Sequence, residues 1–413
     1  MTAIPKDLDV FSAEQVADVL SVSKRNLETW ANNGKLIPDF IHGEVALYSK
    51  KQLEQFEQFQ RFFNSSWDAE RLIQPNRKYT SIELFAGAGG LALGLEGAGF
   101  DHVLLNELDK SACSTLRFNR PEWNVIEGDI RQVDFSEYED SVDLLTGGFP
   151  CQAFSYAGKK LGFEDVRGTM FFEFARALTE IRPKVFLAEN VKGLLSHDDG
   201  KTIETIKSII DELGYELVED NVYKAIFYKV PQKRERLILV GVRKDLVSKG
   251  TFVQPSPYKR ILTVRDALKK GELFDTDVPE SIGQKYPKRK EEIFNYVPEG
   301  GYWRDLPLDL QKEYMQGSFY LGGGKTGMAR RLSWNEPSLT LTCAPAQKQT
   351  ERCHPSESRP LTVREYARIQ TFPDYWSFQG SMSAQYKQIG NAVPVNLALA
   401  LGRSLIRLLN DLD

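Results

Sequence analysis

The chain has 413 residues, of which 41% are hydrophobic and 11% aromatic. It is long enough to form two or three packed domains, and its apolar content is too high for a disordered chain. Its formal net charge of -4 excludes a uniformly basic surface for nucleic-acid binding, so any contact with nucleic acid must come from a local positive face. No apolar run has the roughly 18 to 20 residues of a membrane span, and residues 1–9 lack a signal-peptide core. We therefore expect a cytoplasmic protein without a membrane partner.

The four cysteines, Cys113, Cys151, Cys343 and Cys353, form no C-x-x-C pair. This spacing disfavours both a zinc ribbon and a disulfide scaffold. Cys353-His354 supplies two adjacent residues of metal-ligand type without a second pair, so the spacing favours an ordinary loop over a metal site. We predict no metal.

The first 70 residues predict a small helical domain. Ser12 and Gln15 form a capping box at the start of a first helix, and Ser23 caps a second helix that ends at Asn33-Gly34. Residues 36–48 then predict a hairpin or wing, and residues 49–63 a third helix.

This layout resembles the MerR-type winged helix-turn-helix of bacterial regulators. The resemblance implies that Lys24, Arg25 and Asn26 face the major groove of DNA. Residues 1–78 hold 10 Lys or Arg against 11 Asp or Glu, so no overall positive field supports non-specific DNA binding. A helical docking domain is therefore the alternative, and residues 71–78 are the expected linker.

The segment 79–150 predicts the nucleotide site of a doubly wound sheet. A β-type run over 79–84 leads into a glycine-rich turn and then a helix, as expected where backbone approaches a ligand. The glycines follow a G-x-G-G spacing, which disfavours a dinucleotide pyrophosphate and hence an NAD oxidoreductase. The turn has the sequence Phe85-Ala86-Gly87-Ala88-Gly89-Gly90.

Three further predicted strands end in residues that suit ligand contacts. Residues 102–106 end at Glu107, where an acid could hold ribose hydroxyls. Residues 123–126 end before Asp129 and Ile130, which could contact an adenine amino group and cover the ring. Residues 142–146 lead to Gly147-Gly148-Phe149-Pro150-Cys151-Gln152, and we interpret Cys151 as a nucleophile rather than as a buried cysteine beside a turn.

Over residues 79–413 these motifs resemble the bacterial DNA cytosine-5 methyltransferases in family order. The resemblance implies an α/β, doubly wound S-adenosylmethionine-dependent methyltransferase sheet with a smaller target-recognition domain, beside the N-terminal winged helix-turn-helix domain. It implies S-adenosyl-L-methionine as cofactor and Cys151 as the catalytic residue. The cofactor-binding residues that it implies are Phe85, Ala86, Gly87, Gly89, Gly90, Glu107, Leu108, Asp129, Ile130, Pro150, Asn391 and Val393.

The remaining catalytic residues come from two later motifs. Glu189-Asn190-Val191 matches the family's Glu-Asn-Val, in which the glutamate contacts N3 and the exocyclic amine of cytosine. Gln232-Lys233-Arg234-Glu235-Arg236 matches its Gln-x-Arg-x-Arg. By that match Arg236 holds cytosine O2, while Gln232 and Arg234 order the site and the lid that residues 153–170 would form.

Residues 246–380 correspond to the family's target-recognition domain, between a catalytic segment at 79–245 and a C-terminal return at 381–413. Residues 259–352 hold 16 Lys or Arg against 13 Asp or Glu, a surplus compatible with a DNA face. We select candidate DNA-binding residues by residue type, because these side chains can form hydrogen bonds with bases or phosphates. This set is Ser155, Lys24, Arg25, Arg330, Arg331, Thr340, Thr342, Gln347, Lys348 and Gln349.

These features together predict a DNA (cytosine-5)-methyltransferase that acts on a flipped cytosine in a specific duplex site. We expect it to act as a monomer on DNA, to be paired with a restriction endonuclease, and to bind its own promoter through the N-terminal domain. The alternatives are an RNA cytosine-5 methyltransferase and a transcription regulator with an inactive methylase half.

Overall fold

The computed structural model describes residues 10–42, 45–150 and 169–413. Its contacts divide the chain into two compact units. The first unit comprises the residues up to Arg71 together with Ser256–Ile261, and the second comprises Leu72–Pro255 and Leu262–Asp413.

The first unit is a small three-stranded antiparallel sheet with short helices. Its strands lie in the order β1, β3, β2. The elements are β1 (Val10–Ser12), α1 (Ala13–Leu20), α2 (Lys24–Asn32), β2 (Phe40–His42), β3 (Val45–Ser49), α3 (Lys50–Leu53), α4 (Glu57–Phe63) and α5 (Trp67–Glu70).

Two helix starts in this unit are as predicted. The Ser12 hydroxyl accepts from the Gln15 amide while the Gln15 side chain accepts from the Ser12 amide, which is the expected capping box. Ser23 caps α2 by accepting from Asn26. The single helix expected over residues 49–63 is wrong, because the structure divides it into α3 and α4 with Phe56 as an uncapped start of the second.

Aromatic side chains hold the first unit together. Phe11 lies edge-on to Phe59, with ring centroids 5.4 Å apart, and also contacts Phe62 and Phe63. The segment at 256–261 belongs here because the Tyr258 ring packs edge-on against a buried tryptophan of α5. Such edge-to-face pairs contribute about 0.5–1.5 kcal/mol beyond the area they bury.

The second unit is built on a seven-stranded sheet in the order β6, β5, β4, β7, β8, β11, β9. All neighbouring pairs up to β8 are parallel, and β11 runs antiparallel to both of its neighbours. The strands are β4 (Tyr79–Leu84), β5 (Phe100–Glu107), β6 (Val125–Glu127), β7 (Leu144–Gly147), β8 (Val185–Val191), β9 (Tyr215–Lys224) and β11 (Glu235–Arg243). A separate parallel pair joins β10 (Gln232–Lys233) to β12 (Ser338–Leu339).

This strand order creates a crevice at the carboxyl end of β4. The chain runs from β4 outward to β6 and then returns to β7 on the other side of β4, so the connections leave in opposite directions there. Ligands of open α/β sheets bind at such a reversal point. Each strand predicted over residues 79–146 forms: β4 has the predicted bounds, and the ends of the other three strands differ from the prediction by one or two residues.

Helices cover the sheet and build the remainder of the unit. They are α6 (Gly90–Ala98), α7 (Lys110–Asn119), α8 (Met170–Ile181), α9 (Lys201–Glu212), α10 (Val264–Leu268), α11 (Lys288–Phe294), α12 (Leu308–Met315), α13 (Val363–Ile369), α14 (Met382–Asn391) and α15 (Val395–Leu412). Short 3-10 helices include Ile130–Gln132, Lys192–Gly200, Ala225–Phe227, Trp303–Asp305 and Gln316–Tyr320.

The last helix, α15, packs closely on α6, the helix that follows the glycine-rich turn. A methyl group added at Gly94 would stand 2.4 Å from the Ala398 Cβ, so the two helices touch through small residues. The stretch Met382–Leu412 has the length and composition of a membrane span, with a mean hydropathy of 1.4 in its most apolar window, but 72% of that window is buried. Its apolar character is therefore explained by core packing.

Residues 286–353 have a hydrophobic cluster of their own. Phe294 stacks on Tyr286 with ring centroids 4.6 Å apart, and Trp303 and Met315 are buried in the same cluster. This part of the region predicted for target recognition therefore has its own packed core.

Candidate active site

The glycine-rich turn after β4 adopts a conformation that few residues tolerate. Phe85, Gly87 and Gly89 all have left-handed backbones, with φ of 57°, 55° and 81°. Glycine adopts this conformation without steric cost, whereas Phe85 is strained by it. At Gly90 the requirement is space, because an added Cβ would stand 2.3 Å from the Val393 carbonyl oxygen. The turn thus leaves its backbone open toward the cavity and lets the C-terminal return approach it.

Glu107 stands at the end of the neighbouring strand β5 and is fixed by backbone donors. Its carboxylate accepts from the Gly87 amide at 2.8 Å and from the Asp109 amide at 2.7 Å. These bonds tie β5 to the glycine turn. Leu108, which follows, is 68% exposed and lines the same cavity, so its side chain is accessible to a ligand there.

Asp129 and Ile130 lie after β6, as the sequence predicts. The Asp129 carboxylate pairs with the Arg131 guanidinium, whose Nε lies 2.9 Å away. This pairing holds the pKa of Asp129 at about 2, so the group is ionised near pH 7. Ile130 is buried against the sheet.

These groups line one cavity of about 650 Å³, within the roughly 300–1,000 Å³ of small-molecule sites. Gly89 lies outside this lining and faces Leu116 and Trp376 instead. The cavity is lined by the other predicted cofactor residues, Phe85, Ala86, Gly87, Gly90, Glu107, Leu108, Asp129, Ile130, Pro150, Asn391 and Val393, and also by Glu189, Arg234 and Arg236.

Glu189 and Arg236 form an ion pair at the cavity. The Arg236 Nε lies 2.5 Å from Glu189 Oε1, and the side chains are only 11% and 13% exposed. The pair arises because β8 and β11 are antiparallel neighbours, with Arg236 opposite Val191. A carboxylate and a guanidinium therefore lie together in a largely desolvated position, where electrostatic interactions are stronger than in water.

The loop that leads toward Cys151 is held against Glu189 and its neighbour. Asn190 donates from Nδ2 to the Phe149 carbonyl at 2.9 Å. An added Cβ at Gly148 would stand 2.8 Å from Glu189 Oε2, so a larger residue there would displace the carboxylate. Pro150 lines the cavity. The predicted residues Cys151 and Ser155 lie outside the described residues.

Gln232 and Arg234 are buried beside the site. Gln232 is 0% exposed and lies behind the cavity lining, where its side chain bonds Gln370 and Leu341. Arg234 donates to the carbonyls of Leu341 at 3.2 Å and Gly390 at 2.9 Å. Burial lowers the pKa of the Arg234 guanidinium to about 9, so it remains charged near pH 7. Both side chains therefore join segments that lie next to the cavity.

The structure argues against one predicted DNA contact, Arg331. This side chain is buried, and its guanidinium donates to backbone carbonyls, including Val297 at 2.8 Å and His354 at 3.0 Å. A base contact would require breaking these bonds, so we correct that expectation and assign Arg331 to the core of this region. Gln347 and Lys348 are exposed, and the half-buried Arg330 lies over the ring of Tyr302.

The predicted DNA residues of the first unit lie at the start of α2. Lys24, Arg25 and Asn26 are exposed, and Lys24 forms an ion pair with Glu14 of α1. An ion-paired lysine contributes less positive field than a free one, so the structure leaves Arg25 as the stronger cation on this helix.

Glu83, the acid just before the glycine turn, was not among the predicted cofactor-binding residues, although it belongs to the segment that resembles the family's S-adenosylmethionine loop. It lines the cavity and is 2% exposed, and its Oε2 has no hydrogen-bond partner among the described residues. Burial raises the pKa of this carboxyl well above its ordinary value. The feature of the sequence that could have indicated this position is an acidic residue within a predicted buried strand, residues 79–84. Among the described residues no group of three or more His, Cys, Asp or Glu has the arrangement of a metal site.

Comparison with known proteins gives consistent results. The family model described as C-5 cytosine-specific DNA methylase matches residues 79–407. The type II methyltransferase M.PspPI of Psychrobacter sp. (strain TA137) is 69% identical over 403 residues, which cover 97% of this chain and 96% of that protein. The Escherichia coli type II methyltransferase M.Eco47II is 68% identical over 404 residues, which cover 98% and 97%.

Solved structures share the fold. A candidate DNA modification methyltransferase encoded within an E. coli prophage aligns with a TM-score of 0.57 and 26% identity, over 81% of this chain and all of that one. A Spodoptera frugiperda DNMT2 mutant aligns with a TM-score of 0.55 and 17% identity, over 79% of this chain and 99% of that one, which shows the fold alone.

Proposed function

Because the chain belongs to the C-5 cytosine-specific DNA methylases, which use S-adenosyl-L-methionine, we propose that it methylates one specific duplex site as the methyltransferase of a type II restriction-modification system. Two relatives that carry the name type II methyltransferase match nearly its whole length. The enzyme itself is a DNA (cytosine-5)-methyltransferase. The observation that carries the proposal is the Glu189–Arg236 pair on the same cavity as the glycine turn.

The cavity has the chemistry that S-adenosylmethionine requires. The Gly87 and Gly90 backbone provides a surface without side chains, and the Glu107 carboxylate, which lines the same cavity, would accept from the ribose hydroxyls. Leu108 and Ile130 supply apolar surface for an adenine ring, with Asp129 as an acceptor for its amino group. The orphan oxygen of Glu83 suits the positive methionine end, whose charge would favour the ionised carboxylate that burial alone disfavours. When bound, the cofactor supplies the methyl group.

We assign the nucleophile to Cys151, three residues after Gly148 and next to Pro150 at the cavity. C5 of cytosine is a poor nucleophile, and addition of the Cys151 thiolate to C6 turns the ring into an enamine that is nucleophilic at C5. After C5 is methylated, loss of its proton to a base re-forms the C5–C6 double bond and expels the thiolate. Sulfur suits both steps because it adds readily and leaves readily.

Glu189 and Arg236 would stabilise the charge that develops on the ring during this addition. Glu189 is assigned to N3 and the exocyclic amine, and Arg236 to O2. Such preorganised contacts are usually the largest single catalytic contribution, about 10²- to 10³-fold for one donor. Their mutual ion pair keeps both groups in place before the substrate enters.

The target cytosine must leave the helix to reach these groups. A base stacked in duplex DNA cannot offer C6 to a thiol and N3 to a carboxylate at once, so we propose that the enzyme flips it out at a cost of a few kcal/mol. Residues 246–380 would recognise the flanking sequence, with Arg330, Gln347 and Lys348 as contacts. We expect a monomer on DNA, in the cytoplasm with its cognate endonuclease.

A second role is proposed for the first unit, as a DNA-binding domain that acts on the enzyme's own promoter. The capped helices α1 and α2 are joined by three residues and followed by the hairpin of β2 and β3, the layout of a winged helix-turn-helix. A gel shift of the full chain tests this role. Upstream DNA should bind more tightly than an unrelated duplex without a methylation site, and an Arg25→Ala variant should lose that preference. Equal binding to both duplexes would contradict it.

The catalytic proposal is tested by trapping the covalent adduct. In a duplex that carries 5-fluorocytosine at the target position, fluorine replaces the C5 proton. With S-adenosylmethionine present, the reaction should therefore stop after methyl transfer, because the thiolate cannot be eliminated, and the cysteine bond should persist. We expect a denaturation-resistant complex whose cross-linked peptide contains Cys151, and none with Cys151→Ser. A complex that forms through another residue would overturn the assignment, and adducts on RNA alone would favour the RNA alternative.

A further inference from the structure

Three chain segments that lie far apart in the sequence meet at one wall of the cavity. They are residues 232–234, the segment 338–342 within the region proposed for target recognition, and residues 389–392 of the C-terminal return. Gly390 and Ala392 line the cavity, whereas residues 338–342 do not. The contacts between these segments connect the cofactor wall with the recognition region.

Two buried glutamine amides form a continuous relay between the segments. The Leu341 amide donates to Gln232 Oε1 at 2.9 Å, and Gln232 Nε2 donates to Gln370 Oε1 at 2.7 Å. Gln370 Nε2 then donates to the carbonyls of Ile389 at 2.7 Å and Ala392 at 3.2 Å. Both glutamines are 0% exposed.

The backbone groups at the two ends fix the direction of this relay. An amide N–H can only donate, so Leu341 requires the oxygen of Gln232, and the carbonyl at Ile389 requires the nitrogen of Gln370. A flip of either side-chain amide would place donor against donor or acceptor against acceptor. The relay therefore has one arrangement, and shifting either end leaves a buried polar group unsatisfied.

Two further contacts join the same segments. The Arg234 guanidinium donates to Leu341 and to Gly390, so one buried cation bridges the recognition segment and the return. At Gly390 an added Cβ would stand 2.3 Å from the Thr342 carbonyl oxygen, so the two backbones are in direct contact. A displacement of one segment is thus transmitted to the other.

On the recognition side, residues 340–342 form the base of the exposed loop that carries Gln347 and Lys348. The hydroxyls of Thr342 and Thr350 lie 3.1 Å apart across this base. Buried Arg352 donates to the Thr340 carbonyl at 2.6 Å. DNA held by the loop would therefore restrain the residues to which the relay is attached.

We propose that Gln370 is a positioning residue that couples the two ligands, so that DNA and S-adenosylmethionine each strengthen binding of the other. The inference rests on the proposed cofactor and DNA sites. DNA would order the segment 338–342, and the cofactor would order residues 389–392. Because the relay connects these two segments, the ligand that binds second meets a site that is already ordered. Coupling of this kind is reciprocal and typically amounts to about 5- to 150-fold in affinity.

Hydrogen exchange on the wild-type protein tests the relay without a substitution. S-adenosylhomocysteine, which cannot transfer a methyl group, is added in the absence of DNA. We expect slower exchange at residues 85–90 and, through the relay, at least fivefold slower exchange at Leu341. Protection at 85–90 with no change at Leu341 would overturn the coupling alone. No protection anywhere would overturn the cofactor site and the coupling with it.

A substitution tests the assignment to Gln370. Gln370→Met keeps the side-chain length and removes the amide. The quantity measured is the ratio of S-adenosylhomocysteine affinities with and without a duplex that the enzyme methylates. We expect a ratio of at least five in the wild type and below two in Gln370→Met, whereas Gln370→Glu, which retains the acceptor for Gln232, should recover part of it.

The matched control is Asn119→Leu. Asn119 of α7 also joins two segments that are far apart in the chain through its side-chain amide, accepting from the Ser377 amide at 2.9 Å and donating to the Ser377 carbonyl at 2.8 Å. This variant should lose stability but keep the wild-type ratio. If Gln370→Met does not fold, Gln232→Met interrupts the relay at its other amide. An unchanged ratio in the folded relay variant, or an equal loss in the control, would refute the proposal.

Discussion

The Glu189→Gln variant should lose catalysis while keeping its fold. Glutamine has nearly the same volume as glutamate, so the change removes the negative charge and little else. The carboxylate is 13% exposed and lies 2.5 Å from the guanidinium, so we expect a stability loss of about 1–3 kcal/mol, because a polar side chain still lies beside the largely buried guanidinium. The loss of one preorganised contact to the ring should lower kcat by about 10²- to 10³-fold.

The assay is single-turnover transfer of a labelled methyl group at saturating DNA, with thermal unfolding measured in parallel. Glu219→Gln is the matched control, because Glu219 is 7% exposed and accepts from Gln254 at 3.0 Å on the far edge of the sheet. The control should lose comparable stability and stay within about twofold of the wild-type kcat. A folded Glu189→Gln enzyme within threefold of the wild type would refute the role assigned to Glu189.

Three further predictions follow from particular contacts. Gly90→Ala should abolish cofactor binding, because the added methyl group would stand 2.3 Å from a carbonyl oxygen. Gly97→Ala on the same helix, where the nearest atom would be 3.4 Å away, should keep cofactor binding and raise the free energy of unfolding by about 0.5–1 kcal/mol. Calorimetry of both variants checks this. Arg331→Met should lower the unfolding temperature by leaving several carbonyls unsatisfied, while Lys348→Met should keep that temperature and reduce the salt dependence of DNA binding by about one phosphate contact. Partial burial opposes ionisation of Asp413, but hydrogen bonds from two cations and a tyrosine still lower its pKa to about 2. The stability it adds is therefore present above its unfolded pKa of about 3.9 and lost as the pH falls toward 2, so the stability deficit of Asp413→Asn should shrink below pH 4 in denaturant titrations.

Local sequence patterns were sufficient for the parts of the site that follow strand ends. The start of the glycine turn, Glu107 and Asp129 each lie within three residues of the end of a predicted strand, and parallel strands bring such positions to one edge. Glu189 and Arg236 were named by motif. Their ion pair could not be foreseen, because it depends on the register between β8 and β11.

Contacts between distant segments escaped prediction for a physical reason. Gln232 and Gln370 are 138 residues apart in the chain, and no local pattern indicates that their amides meet. Arg331 has the residue type of a DNA contact, yet tertiary packing places it inside the protein. In the same way, the expected helix over 49–63 followed the apolar spacing, whereas the chain breaks it before Phe56.

The most direct test of the account is transfer of a labelled methyl group from S-adenosylmethionine into unmethylated duplex DNA, with RNA and Cys151→Ser as controls. The account predicts label in DNA as 5-methylcytosine at one recurring sequence, no label in RNA, and none with Cys151→Ser despite retained DNA binding. Undiminished transfer by the serine variant would contradict the central claim that Cys151 is the nucleophile.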